Sequence, residues 1–91
     1  MRIETVPAFR QAARRLTARQ VTELESALRR LPEAFGRPHV HSGLGIRRFG
    51  DFFEVRVGLK LRALFAWAPP VATFVFVGTH DEIAAFVRAH R

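Results

Sequence analysis

The chain has 91 residues, 48% of them hydrophobic and 11% aromatic, which suits one folded domain over residues 1–91 and excludes a disordered basic tail. There is no cysteine, so disulfide staples, thiolate metal sites and thiol nucleophiles are excluded. Fifteen Lys and Arg against eight Asp and Glu give a net charge of +7, which for so small a domain points to an anionic partner: nucleic acid, an anionic membrane face or an acidic protein.

The opening Met1-Arg2-Ile3-Glu4 is not followed by the apolar run of a signal peptide. The most apolar stretch, residues 61–77, is broken by Arg62 and by Pro69-Pro70 and is too short to span a bilayer. The expectation is a cytoplasmic protein with no membrane partner.

In chain order, residues 3–6 read as a short strand. Pro7 suits the first turn of a helix, where its missing N–H costs nothing. Phe9, Ala12, Ala13 and Leu16 then recur at helical spacing, with Arg10, Arg14 and Arg15 on the other side. Thr17-Ala18-Arg19-Gln20 has capping-box spacing, so a second helix should begin there, with Val21, Leu24, Leu28 and Leu31 as its apolar stripe. Pro32 and residues 36–38 are expected to end it, and the two helices to form a hairpin.

The period then changes to two. Residues 45–48 are a candidate strand, Gly50-Asp51 a turn, 52–57 a strand, Gly58-Leu59 a tight turn, and 60–67 the next strand. Residues 68–70 make another turn before a β-rich run over 71–77, which Gly78 and Thr79 should break. Short turns between successive strands imply an antiparallel meander. Residues 81–90 can form a last helix with Ile83, Phe86 and Val87 on one side. The predicted fold class is α+β: two N-terminal helices packed on a four- to five-stranded, largely antiparallel sheet with a short C-terminal helix, in the order β-α-α-β-β-β-β-α.

Alternation places Glu54 and Arg56 on one strand face and Val55 and Val57 on the other. Lys60 and Arg62 share a face opposite Leu61, Ala63, Phe65 and Trp67. If the helices cover the apolar face, Glu54, Arg56, Lys60 and Arg62 gather on an open one. Two readings stand: a solvated sheet face with cross-strand ion pairs, or rigidly held cations suited to a phosphate.

His80 lies where the last strand meets the last helix. Either it caps or starts the helix, or its imidazole moves a proton during turnover. His39 and His41 form an H-x-H pair, but with no third ligand in view they read as part of a basic, RNA-facing loop, and no metal or cofactor is expected. There is no phosphate-cradling glycine loop, no G-x-S-x-G elbow, no Ser-His-acid arrangement and no helix-turn-helix reading helix.

From Gly43 to Phe86 the sequence resembles the RelE/ParE superfamily of toxins from type II toxin–antitoxin systems. The element order matches over nearly the whole chain. The strand Lys60-Leu61-Arg62-Ala63-Leu64-Phe65 resembles the family's strand with an arginine followed by apolar residues. The run Phe76-Val77-Gly78-Thr79-His80-Asp81-Glu82 resembles the V-G-T-H-x-E ending of HigB-like and YafQ-like mRNA interferases.

The resemblance implies a bacterial toxin that binds the ribosome and cleaves mRNA there, inhibiting translation. The RNA 2′-hydroxyl attacks the adjacent phosphate, with no metal, cofactor or small-molecule substrate. It implies that Arg62 offsets phosphate charge, that His80 is general acid or base, and that a cognate antitoxin is the protein partner. His41 stands near a histidine of the YafQ-like members. Beside these, Glu54 is the second proton-transfer candidate, and Arg56, Lys60, Arg47 and Arg48 are the further RNA-binding candidates. The chain has no tyrosine, so the tyrosine chemistry of some RelE members cannot operate. The other reading is a non-enzymatic binder: a ParE-like DNA gyrase inhibitor, or a degenerate toxin fold that only binds an acidic partner.

Overall fold

The computed structural model describes residues 1–37, 39 and 43–90. Its elements are β1 (Arg2–Thr5), α1 (Pro7–Ala13), α2 (Ala18–Ala34), β2 (Arg47–Phe49), β3 (Phe52–Val57), β4 (Leu61–Ala68), β5 (Val71–Thr79) and α3 (His80–Ala89). The five strands form one sheet in the order β1-β5-β4-β3-β2. Four of them, β2 to β5, make the antiparallel meander, and β1 lies parallel to β5 at the far edge. The α+β class and the element order are those expected from the sequence.

The predicted capping box is present. Gln20 N–H donates to the Thr17 hydroxyl at 3.2 Å, and Thr17 N–H donates to Gln20 Oε1 at 2.9 Å. Two of the orphan N–H groups at the start of α2 are thereby satisfied by residues three apart, a local effect that needs no tertiary support. Helix α2 then passes through Pro32 and ends at Ala34, between Pro32 and the 36–38 stretch that were expected to end it. Pro32 stands in the last turn, where the ring forfeits one bond to the Leu28 carbonyl, and burial of Leu31 and Ala34 on either side outweighs that loss.

Helix α1 packs on β5 and α2 on β3, each against the sheet more than against the other. Beneath them lies an aromatic core. Phe65 sits 5.0 Å from Phe74 and 5.7 Å from Phe53, and Phe35 meets the edge of Trp67 at 4.9 Å. Phe65 and Phe74 are fully buried; each such ring contributes about 1.5–3 kcal/mol through removal from water.

The second face of the sheet is not open. Helix α3 folds back over it and buries Ile83 and Val87 against Leu64, with Phe49, Phe52, Phe76 and Phe86 around them. This is the main departure from the expected layout. It is possible because β5 carries a bulge: Leu64 pairs with Phe76 but Phe65 with Phe74, leaving Val75 unmatched. One extra residue reverses which side later side chains face. Phe74 therefore joins the core under α1 and α2, while Phe76, two residues on, stacks against Phe86 of α3 at 5.0 Å.

Strand edges also shift. Strand β5 runs through Gly78 and Thr79 instead of breaking there, and Lys60 belongs to the turn before β4.

Candidate active site

Strand β5 passes directly into α3, and the junction is held by a second capping box. Thr79, extended at φ −70° and ψ 167°, is the N-cap. Its hydroxyl accepts from Glu82 N–H at 3.3 Å, and its own N–H donates to Glu82 Oε1 at 2.9 Å. That backbone bond is the largest influence on Glu82. It outweighs the carboxylate's partial loss of water and, with the Thr79 hydroxyl and the nearby Arg15, lowers the Glu82 pKa from its ordinary value.

Gly78 completes the junction. A Cβ there would lie 2.8 Å from Glu82 Oε1 and 3.1 Å from the Phe76 ring, so any side chain would collide with the cap. Gly78, Thr79 and Glu82 of the V-G-T-H-x-E run thus have a local structural account. The T-x-x-E spacing is the signal that could have revealed this cap; a capping box was expected from the sequence only at Thr17.

His80 is the exception. It opens α3, is exposed, and its side chain makes no hydrogen bond among the described residues; its one ring contact there is with Phe49, edge-on at 6.2 Å. Phe49 lies on the face of β2 that also carries Arg47, two residues away. From the other side, Arg62 of β4 is paired with Gly78 of β5, two residues before His80. The histidine therefore stands over the same sheet face as Arg47 and Arg62.

At the centre of that face is Glu54, which is 0% exposed where an open face was expected. Its Oε1 accepts from Arg47 Nε at 2.7 Å and has Arg62 Nε at 3.6 Å. Its Oε2 is buried without a hydrogen-bond partner among the described residues. The burial follows from position: β3 is an inner strand between β2 and β4, and α3 covers the face beside it. Arg62 is largely enclosed, its side chain 20% exposed, and gives one Nη1 bond to the Leu61 carbonyl at 3.2 Å. Arg47 is 60% exposed.

The other sequence candidates are dispersed. Arg56 is paired with Arg62 across β3 and β4, so they share a face. Its side chain runs out over Gly45, where an added Cβ would lie 2.8 Å from Arg56 Cβ; Gly45 also has φ +78°, a conformation that glycine adopts without strain. Arg48 points to the opposite face from Arg47. Its guanidinium lies over the Phe53 ring at 5.3 Å and donates to the Gly50 carbonyl at 3.1 Å. Lys60 was expected beside Arg62 on the open face; it stands instead in the β3–β4 turn, along a groove shared with Thr17, Gln20 and Glu23 near the start of α2. His41 lies outside the described residues. Among those described, no group of three or more His, Asp or Glu could hold a metal ion, and no helix is long and apolar enough to cross a membrane.

The fold is that of the RelE-type toxins. Among solved structures, YafQ from E. coli strain BL21(DE3) superposes with a TM-score of 0.72 over 91% of this chain and 98% of its own, at 12% sequence identity. RelE in the RelB–RelE antitoxin–toxin complex from Methanococcus jannaschii gives 0.68 over 91% and 96%, at 10% identity. The DinJ–YafQ complex from E. coli gives 0.58 over 91% and 98%, at 15% identity. No protein-family model matches the chain, and no curated protein matches it in sequence.

Proposed function

We propose that the chain is the toxin of a type II toxin–antitoxin pair and cleaves mRNA on the ribosome without a metal. The observation that carries this reading is the placement of His80. It is exposed, free of structural hydrogen bonds, and stands over a face bearing Arg62 and Arg47. The RelE-type fold supports it, since one of the superposed structures is an antitoxin–toxin complex.

In the reaction the RNA 2′-hydroxyl gives up its proton and attacks the neighbouring phosphorus, and the P–O5′ bond breaks as O5′ takes a proton. His80 serves one of these transfers as general base or acid. Charge builds on the phosphate oxygens, and Arg62 with Arg47 offsets it from fixed positions on the sheet. Arg56, Arg48 and Lys60 extend the positive surface for RNA backbone away from the reacting phosphate. Glu54, enclosed by the sheet and α3, has no open path to a substrate hydroxyl.

The deciding experiment is induction of the chain alone in cells, followed by primer extension on a reporter transcript. Cuts within reading frames are expected. Intact transcripts together with gyrase-dependent DNA breaks would replace this reading with that of a ParE-like gyrase inhibitor.

A further inference from the structure

We propose that Glu54 is a positioning residue: it aligns Arg47 and Arg62 into a two-arginine clamp for one phosphodiester and does not itself exchange a proton with substrate. This deepens the reading of the site as one that cuts RNA, and it rests on that reading for its catalytic consequence.

A group that moves a proton must come within hydrogen-bond reach of it, and Glu54 is 0% exposed. Arg47 comes from β2 and Arg62 from β4, on either side of the strand that carries Glu54. Both Nε atoms nevertheless lie within 3.6 Å of the same oxygen, Oε1. Two guanidinium groups drawn so close repel one another unless an anion stands between them. One carboxylate against two cations leaves the trio with an excess positive charge, which a phosphate oxygen can meet.

Arg47 is 60% exposed and without Glu54 would sample many rotamers, an entropy that binding would then have to overcome. Anchoring it through Nε leaves its two terminal nitrogens for a ligand. An enclosed carboxylate with one oxygen unpartnered is a poor stabilising device, because desolvation opposes the pairing and an apolar residue of similar size often serves the fold as well. The carboxylate is explained by what it does to the arginines.

The test uses the full chain with Glu54→Gln, which keeps the shape and removes the charge, and Glu54→Leu, which fills the space with apolar atoms. Three readouts are taken: thermal melting, single-turnover cleavage on programmed ribosomes across pH, and the Nε–H signals of 15N-arginine-labelled protein. Binding of a short RNA with 2′-deoxy substitutions, which cannot be cut, is measured alongside.

At least one of the two variants is expected to melt at or above the wild-type temperature. In that variant the Arg47 and Arg62 Nε–H signals should move and exchange faster with water. Cleavage should fall by about 100-fold, the scale of a misplaced reacting group, with the shape of the pH profile unchanged. Glu54→Gln combined with Arg47→Lys should cost little more than either change alone, as coupled residues do.

Loss of one limb of the pH profile in Glu54→Gln would overturn the proposal in favour of proton transfer. Lower melting in both variants, with unchanged Nε–H signals, would make Glu54 a structural residue only. If the wild-type chain cuts no RNA, the functional reading fails by itself. The clamp is then judged on the Nε–H signals and the deoxy-RNA affinity, and unchanged values for both in the folded variant overturn it.

Discussion

Arg62 faces Gly78 directly across β4 and β5. The strand beside the arginine therefore offers no side chain at that level, and two residues further on the chain places His80 at the start of α3. One strand pairing and one strand-to-helix junction thus set an arginine and an exposed histidine two residues apart in register along β5.

Replacement of His80 by Ala or Gln should lower single-turnover cleavage by about 10²–10⁴-fold, the range for a positioned acid or base. Melting should not change, because the exposed His80 side chain makes no hydrogen bond among the described residues. Ribosome affinity should also hold, since many arginines supply it. Arg62→Ala should lose rate, whereas Arg14→Ala, at an exposed position after α1, should lose little. Near wild-type cleavage by His80→Ala would reduce the histidine to a helix-start residue.

Gly78→Ala should destabilise the chain by about 1–3 kcal/mol, as overpacking at a close contact does. The added methyl would lie 2.8 Å from Glu82 Oε1 and 3.1 Å from the Phe76 ring, so α3 must lift from the sheet or the cap must open. Chemical denaturation of the purified variant measures this; a midpoint equal to wild type would show that α3 moves aside without cost.

The cap itself has a pH signature. Glu82 has a folded pKa lowered from its ordinary value, mainly by the Thr79 N–H. A lowered carboxylate pKa contributes stability that is present above the unfolded-state pKa and lost as pH falls through the folded one. Wild type should exceed Glu82→Gln in melting temperature at neutral pH, and the gap should close in acid. The charge-dependent part is small, because the Glu82 side chain is 44% exposed and its Arg15 partner 66% exposed. Thr79→Ala, which removes the hydroxyl acceptor, should cost about 1 kcal/mol.

The antitoxin expected for this chain should carry an acidic or amphipathic segment that orders on binding and covers the basic surface. With a net charge of +7, the affinity should weaken as salt rises. Co-expression with the product of the adjacent gene should raise soluble yield and relieve growth arrest. Absence of binding together with normal growth on expression alone would remove the toxin assignment.

Much of the fold was legible because its signals are local. The Thr17–Gln20 cap, the helical spacing of Phe9 and Ala12, and the strand over residues 52–57 each involve neighbours a few residues apart, and each appears in the structure. The V-G-T-H-x-E run also marked the junction that presents His80. What misled was alternation carried too far. It assigned Glu54 to solvent because it took the second sheet face to be bare, and it placed Lys60 beside Arg62 because it began β4 one residue early.

The amino-acid order by itself determined the element sequence, the helix starts and the pairing of charged with apolar positions along β3, since these depend on backbone geometry and short-range hydrogen bonds. Only the tertiary structure decided that α3 closes over the second face, that the unmatched Val75 turns Phe76 toward it, and that Glu54 is buried between Arg47 and Arg62. Those outcomes depend on contacts between segments far apart in the chain, where burial of Ile83 and Val87 against Leu64 outweighs the exposure that local polarity would assign to that face.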